Sequence, residues 1–281
     1  MKVGIGLPNA VPGTSAEQLL GFARRADERD FSTLGTIDRV LYGNYEPLAA
    51  LAAAAAVTER IGLMTSVMLG PLRTNAVQTA KQALSVNEIS GGRLTVGVGL
   101  GAREDDFEIS GVDGKGKGAQ LDAMLEAMTE AFADERIGPR SAGVPRILIG
   151  GHAEASFARA ARFGEGWIAG GAPPDQFAEM VNGVKSAWAA AGRDDEPRTA
   201  GLAYYSLGPD GEQRAQAYLN DYYAFLGDEV AGMIASSAAT DAETVRGYLA
   251  AFEGVGCGEL IMFPCSGDPS QVDMLREAID G

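Results

Sequence analysis

The stretch from Thr58 to Gly101 constrains the fold more than any other part of the chain. Two short apolar runs, Ile61–Leu69 and Leu94–Val98, flank a segment whose residues Ala76, Val77, Ala80, Ala83 and Leu84 share one helical face. Strand, helix and strand in so few residues form a βαβ unit, whose two strands run parallel. Parallel strands are buried on both faces, which explains why these runs are nearly continuous in Val, Leu, Ile and Met. Ser90-Gly91-Gly92-Arg93 falls where the helix returns to strand, and a glycine helix stop accounts for it without a ligand. Thr65-Ser66-Val67 and Gly97-Val98-Gly99-Leu100-Gly101 fall at the opposite, C-terminal edge. Parallel α/β folds carry their sites at that edge. Glycines at alternate positions there predict a backbone that closely approaches something flat or anionic.

The same alternation runs along the whole chain. Further strands are predicted at Val3–Leu7, Phe31–Ile37, Arg146–Ile149, Gly166–Ala169, Thr199–Leu207 and Glu259–Phe263. Helices are predicted to start at Ser15, as a cap, and at Pro47, and to span 119–133, 154–163, 174–191, 211–226, 229–236, 242–252 and 270–279. Eight strand-helix alternations predict an α/β chain folded as a (β/α)8 TIM barrel. Such barrels take about 250 residues, so the 281 residues are expected to form a single domain, 1–281.

The net charge of −15 argues against a nucleic-acid partner, since phosphate backbones are bound through an excess of Lys and Arg. It argues equally against anionic membrane surfaces, and no apolar run approaches the roughly 20 residues of a span. The chain opens directly on a strand, so a cytoplasmic protein is expected. Cys257 and Cys265 suit reduced thiols, and with His152 the sole histidine, no metal site built from Cys and His is expected. An anionic ligand would need a locally basic pocket in an acidic molecule, and Arg39, Arg73 and Arg103 follow strand ends.

The residues after each strand are the candidates for chemistry: Asn9, Asp38-Arg39, Thr65-Ser66-Val67, Gly99 to Gly101, Gly150 to His152, Gly170-Gly171, Ser206 and Pro264-Cys265. Gly150-Gly151-His152-Ala153 directly precedes a helix, whose free N–H groups and dipole hold a phosphate well, with the Ser156 hydroxyl one turn in. An ordinary strand-to-helix turn is the competing reading. Arg39 cannot act as a base at neutral pH and is read as a partner of Asp38 or of an anionic ligand, or as a solvated side chain. Glu104-Asp105-Asp106 reads as a turn cap or a solvated run. Trp167, Tyr218, Tyr222, Tyr223 and Phe225 either line a pocket or, given their helical spacing, pack in the core.

Taken in order, T-E-R-I-G-L, the helix ending I-S-G-G-R-L, and G-V-G-L-G followed by an acidic run and Gly111 resemble the bacterial-luciferase-like monooxygenase family. The likeness is dense there and around Ile149–Gly171 and loose elsewhere. The resemblance implies a luciferase-like TIM barrel that binds FMN or the deazaflavin F420, often as a homodimer. It implies a non-prolyl cis peptide at Ser66-Val67 behind the isoalloxazine ring, and a cofactor phosphate at Gly151, His152, Ala153 and Ser156. F420-using members often carry Asp-His where this chain has Asp38-Arg39, so His-dependent sugar-phosphate dehydrogenation is not expected. FMN binders carry an Arg where Leu100 stands, with Arg103 three residues on, which favours F420. Hydride transfer to or from a small organic substrate is therefore the expected activity, with Asp38 and Arg39 as the catalytic candidates. Asn9, Thr65 to Val67, Gly99, Gly101, Arg103 and Gly150 to Ala153 with Ser156 are the cofactor candidates. The alternatives are an FMN-dependent monooxygenase, a non-catalytic flavin carrier, and a barrel aldolase or isomerase seating a substrate phosphate at Gly150-Gly151.

Overall fold

A computed structural model describes residues 1–281. The strands are β1 (Lys2–Gly6), β2 (Thr33–Thr36), β3 (Gly62–Leu69), β4 (Leu94–Gly99), β5 (Arg146–Gly150), β6 (Gly166–Ile168), β7 (Arg198–Tyr205) and β8 (Glu259–Pro264). All pair in parallel with their sequence neighbours, and β8 pairs with β1 from Lys2↔Glu259 to Ile5↔Met262, which closes the barrel. Around it lie α1 (Ala16–Glu28), α2 (Pro47–Ala55), α3 (Ala76–Ile89), α4 (Glu104–Ile109), α5 (Lys117–Ala133) and α6 (Glu154–Phe163). The ring is completed by α7 (Pro174–Ala190), α8 (Gly211–Tyr223), α9 (Asp228–Ser236), α10 (Ala242–Gly254) and α11 (Ser270–Asp280). The expected (β/α)8 architecture is the one observed.

Strand alternation divides the core in two. Leu63, Ile147, Trp167, Leu260 and Met262 join the shell between strands and helices, whereas Met64, Leu148, Ile168, Leu202, Ile261 and Phe263 belong to a second cluster within the barrel. The Phe263 ring fills so much of that interior that a Cβ on Gly35 would sit 2.9 Å from it, and Gly6 is closer still. Those two glycines make room for one aromatic ring.

Local chemistry sets the element ends. Ser15 and Gln18 form a reciprocal capping box at the start of α1. The Gly91 and Gly92 stop has positive φ, and the Arg93 guanidinium donates to the carbonyls of Ala55, Thr58, Ile61 and Ser90. That joint is structural, as its sequence predicts. Strand β2 (Thr33–Thr36) is shorter than the predicted Phe31–Ile37: the Phe31 N–H donates back to the Ala26 carbonyl of α1, and at the other end the Asn9 side chain takes the strand partner's place. Its Oδ1 accepts from the Ile37 N–H (3.1 Å) and its Nδ2 donates to the Ile37 carbonyl (2.8 Å). The acidic run, read as a turn cap or a solvated stretch, opens α4, with Glu104, Asp105 and Asp106 in its first turn, where the helix dipole favours carboxylates.

Candidate active site

A cleft of about 200 Å³ opens at the C-terminal end of the barrel. Ser66, Val67, Asp38, Arg39, Gly101 and Arg103 line it from the β2, β3 and β4 side. Leu202 and Tyr204 line it from β7, and Tyr222, Tyr223 and Phe225 from the end of α8 and the turn after it. Strand β3 breaks register between Thr65 and Met68, and the Ser66-Val67 peptide bond there is cis. This bulge leaves both residues half-buried at the cleft wall, with the buried Ser66 hydroxyl without a hydrogen-bond partner.

The glycines of β4 and β5 serve this bulge. A Cβ on Gly99 would lie 2.6 Å from Val67, and one on Gly150 would lie 2.8 Å from it; Gly97 is crowded by the Thr65 carbonyl. Gly97 and Gly99 are both buried under β3, and the room they leave is taken up by Thr65 and Val67. Thr65 is fully buried, its hydroxyl donating to the Gly97 carbonyl (2.7 Å), and Asn9 is likewise spent on backbone. Asn9, Thr65, Gly99 and Gly150 therefore shape the cleft from behind its wall.

Asp38 and Arg39 do not pair with each other. Asp38 accepts from the Leu69 N–H (2.9 Å) and from Arg73 (2.8 Å). The Arg39 Nε donates to Asp106 (3.0 Å), which also accepts from the backbone N–H groups of Val40 and Leu41. Arg39 and Asp106 are both buried, which rules out the solvated readings of Arg39 and of this part of the acidic run. Arg103 grips Asp105 through Nε and Nη2 and donates to the Tyr222 carbonyl (3.0 Å). Its hydrogen bonds hold the Asp105 carboxyl below the usual range.

The second candidate feature stands on the same rim, since β3 and β5 are parallel and Val67 packs on Gly150. Helix α6 begins after Ala153 with no side chain capping its first N–H groups. Gly151, at φ 140°, lets the Ser156 hydroxyl come against the chain where any Cβ would collide with it. The Gly151 carbonyl accepts from the Trp167 indole (2.6 Å), so Trp167 is a core residue that also fixes this turn. His152 lies exposed beside Gly170, and partial desolvation holds its imidazole below the ordinary value.

Several wall residues escape a reading by strand ends alone: Ile37, Leu69, Asp106, Leu202 and Tyr204. Leu202 and Tyr204 carry a usable signal, because strand parity places both on the inward face of β7.

This constellation sits at the C-terminal mouth of a closed parallel (β/α)8 barrel, the edge at which enzymes of this architecture carry their sites. The chain belongs to the luciferase-like monooxygenase family, whose model matches residues 1–256. An uncharacterized protein of Mycobacterium tuberculosis (strain ATCC 25618 / H37Rv) is 31% identical over 205 residues, covering 67% of this chain and 68% of that one. The crystal structure of monooxygenase RslO1 from Streptomyces bottropensis superposes with a TM-score of 0.79 at 25% identity, covering 100% of this chain and 97% of that one. An F420-dependent secondary alcohol dehydrogenase in complex with an F420-acetone adduct reaches a TM-score of 0.82 at 16% identity, over 99% and 98% of the chains. No helix is long and apolar enough to cross a membrane.

Proposed function

We propose that this chain is an F420-dependent oxidoreductase acting on a small organic substrate. The observation that carries the reading is the placement of a half-buried bulge and an uncapped helix start on one rim, joined by the Val67–Gly150 contact. The residues present suit a deazaflavin. The unpartnered Ser66 hydroxyl and the Val67 side chain would support its ring, and the first N–H groups of α6 with Ser156 would hold a phosphate oxygen. When bound, the deazaflavin supplies two-electron hydride chemistry.

The chain's own task is orientation and the exclusion of water. Asp38 and Arg73 tie β2 to the end of β3, and Arg39 with Asp106 ties the loop after β2 to α4, so the cleft walls are cross-linked through buried charge. Asp38 and Arg39 are both engaged in these ties, and both are assigned positioning roles. The cation nearest the strand-four glycines, Arg103, is committed to Asp105 and a carbonyl, which leaves no free guanidinium there for the terminal phosphate of FMN. This favours F420 over the FMN-dependent monooxygenase reading. Parallel titrations of the purified protein with F420 and with FMN, followed by fluorescence, test the choice. Saturable F420 binding is expected, whereas retained FMN with no affinity for F420 would overturn it.

A further inference from the structure

Every charge that lines the cleft already has its counter-ion. Asp106 holds Arg39, Asp105 holds both donors of one Arg103 edge, and Asp38 holds Arg73. The Nη1 of Arg39 has no acceptor, but it is sealed from solvent with the guanidinium 4.9 Å and 5.4 Å from the ring centres of Tyr42 and Tyr222. A carboxylate or phosphate placed among these groups would find no free cation, and burying it unpaired is costly. The remaining walls, Ile37, Leu202 and Phe225, are apolar. The ligand that fits beside them is neutral, with an apolar body.

Besides the Ser66 hydroxyl, already set against the cofactor ring, one polar feature of the cleft is not used up. The hydroxyls of Tyr204 and Tyr223 lie 2.8 Å apart, and neither has another hydrogen-bond partner. Two phenols carry two protons, and their mutual bond consumes one. Tyr204, on β7, is 5% exposed, whereas Tyr223 is only half-buried at the cleft wall. The arrangement that leaves no proton stranded has Tyr204 donating to Tyr223, with the spare Tyr223 O–H turned to the cleft. Burial raises both groups above the ordinary phenol value, so both stay protonated at neutral pH.

We propose that Tyr223, polarised by Tyr204, is the hydrogen-bond donor for a carbonyl or alcohol oxygen of the substrate, and that the substrate is a compact neutral molecule. This deepens the reading of the cleft as the active site and rests on it. A donor that itself accepts a hydrogen bond is strengthened by it, which suits an oxygen that gains charge or needs a proton when its carbon changes oxidation state.

The test uses the purified full chain and three probes: cyclohexanone, methylenecyclohexane, which has the same shape without the oxygen, and cyclohexanecarboxylate. Affinities are read by ligand-observed NMR with and without F420. The ketone is expected to bind better than the carboxylate, and Tyr223→Phe to weaken the ketone about fivefold or more while leaving methylenecyclohexane unchanged. The carbonyl stretch of bound ¹³C-labelled cyclohexanone is expected to move to lower frequency on the unmodified protein, a result that stands even if the variant does not fold. Failure of the ketone to bind, tighter binding of the carboxylate, an unshifted stretch, or unchanged ketone affinity in a folded Tyr223→Phe protein would each overturn the proposal. Ketone binding that depends on Tyr223 in a protein with no affinity for F420 would support the donor and sink the cofactor reading alone.

Discussion

The Asp106 carboxylate accepts from the Arg39 Nε and from the N–H groups of Val40 and Leu41, in a site where both side chains are almost wholly buried. Removing one partner of such a pair leaves an uncompensated buried charge, at a cost of about 3–5 kcal/mol. Asp106→Ala is therefore expected to lose stability of that order in urea unfolding. A loss under about 1 kcal/mol would show that water replaces the carboxylate and that the pair does not brace the cleft. No reading of neighbouring residues finds this partnership, because the two side chains lie 67 positions apart in the chain. What sequence does offer is residue type: an arginine after β2 and an acidic run after β4, each requiring a partner when buried.

At the scale of elements, the barrel was legible because its signals are local. Apolar runs of strand length, Ser15 and Pro47 at helix starts, and glycines at helix stops all depend on near neighbours. Helix α6, predicted at Glu154–Phe163, is found with those ends. The cleft was only half legible. Tyr222 and Tyr223 fall at spacings that a packed helix would also show, and only the path of α8 over the barrel mouth brings them to the cleft. The packing role of the β4 glycines was hidden for a related reason: the residues they accommodate, Thr65 and Val67, belong to another strand. The uncapped start of α6 supplies a direct test. Ala153 sits at the N-cap position with extended backbone (φ −99°, ψ 153°), a conformation open to a side-chain cap. Ala153→Asp is expected to raise stability by about 1 kcal/mol in thermal or urea unfolding and to lower F420 affinity by about tenfold or more through the carboxylate at the anion seat. Unchanged F420 affinity in a stabilised variant would show that the cofactor phosphate lies elsewhere.

Over the whole molecule, the two ends of the barrel do different work. At the N-terminal end the buried Glu259 carboxylate accepts from Ser32 (2.6 Å) and Arg198 (2.6 Å). Burial alone would raise its pKa, but the bonds from Ser32, Thr33 and Arg198 outweigh it and hold the group below its ordinary 4.5. A lowered carboxylate contributes stability above that ordinary value and loses it as pH falls through the lower folded one. Glu259→Gln is expected to cost about 1.5–3 kcal/mol at neutral pH, with the gap to the unmodified protein closing on acidification below pH 4.5. F420 affinity of the folded variant should stay unchanged, because Glu259 faces the end away from the cleft. A drop in affinity would contradict the division of labour between the two ends.

A crystal structure with F420 bound locates the ring and the phosphate together. The deazaflavin ring is expected between the Ser66-Val67 bulge and the tyrosine wall, with a phosphate oxygen at the N–H groups of α6 beside Ser156. A ring bound at the opposite end of the barrel, or a phosphate remote from α6, would contradict that placement.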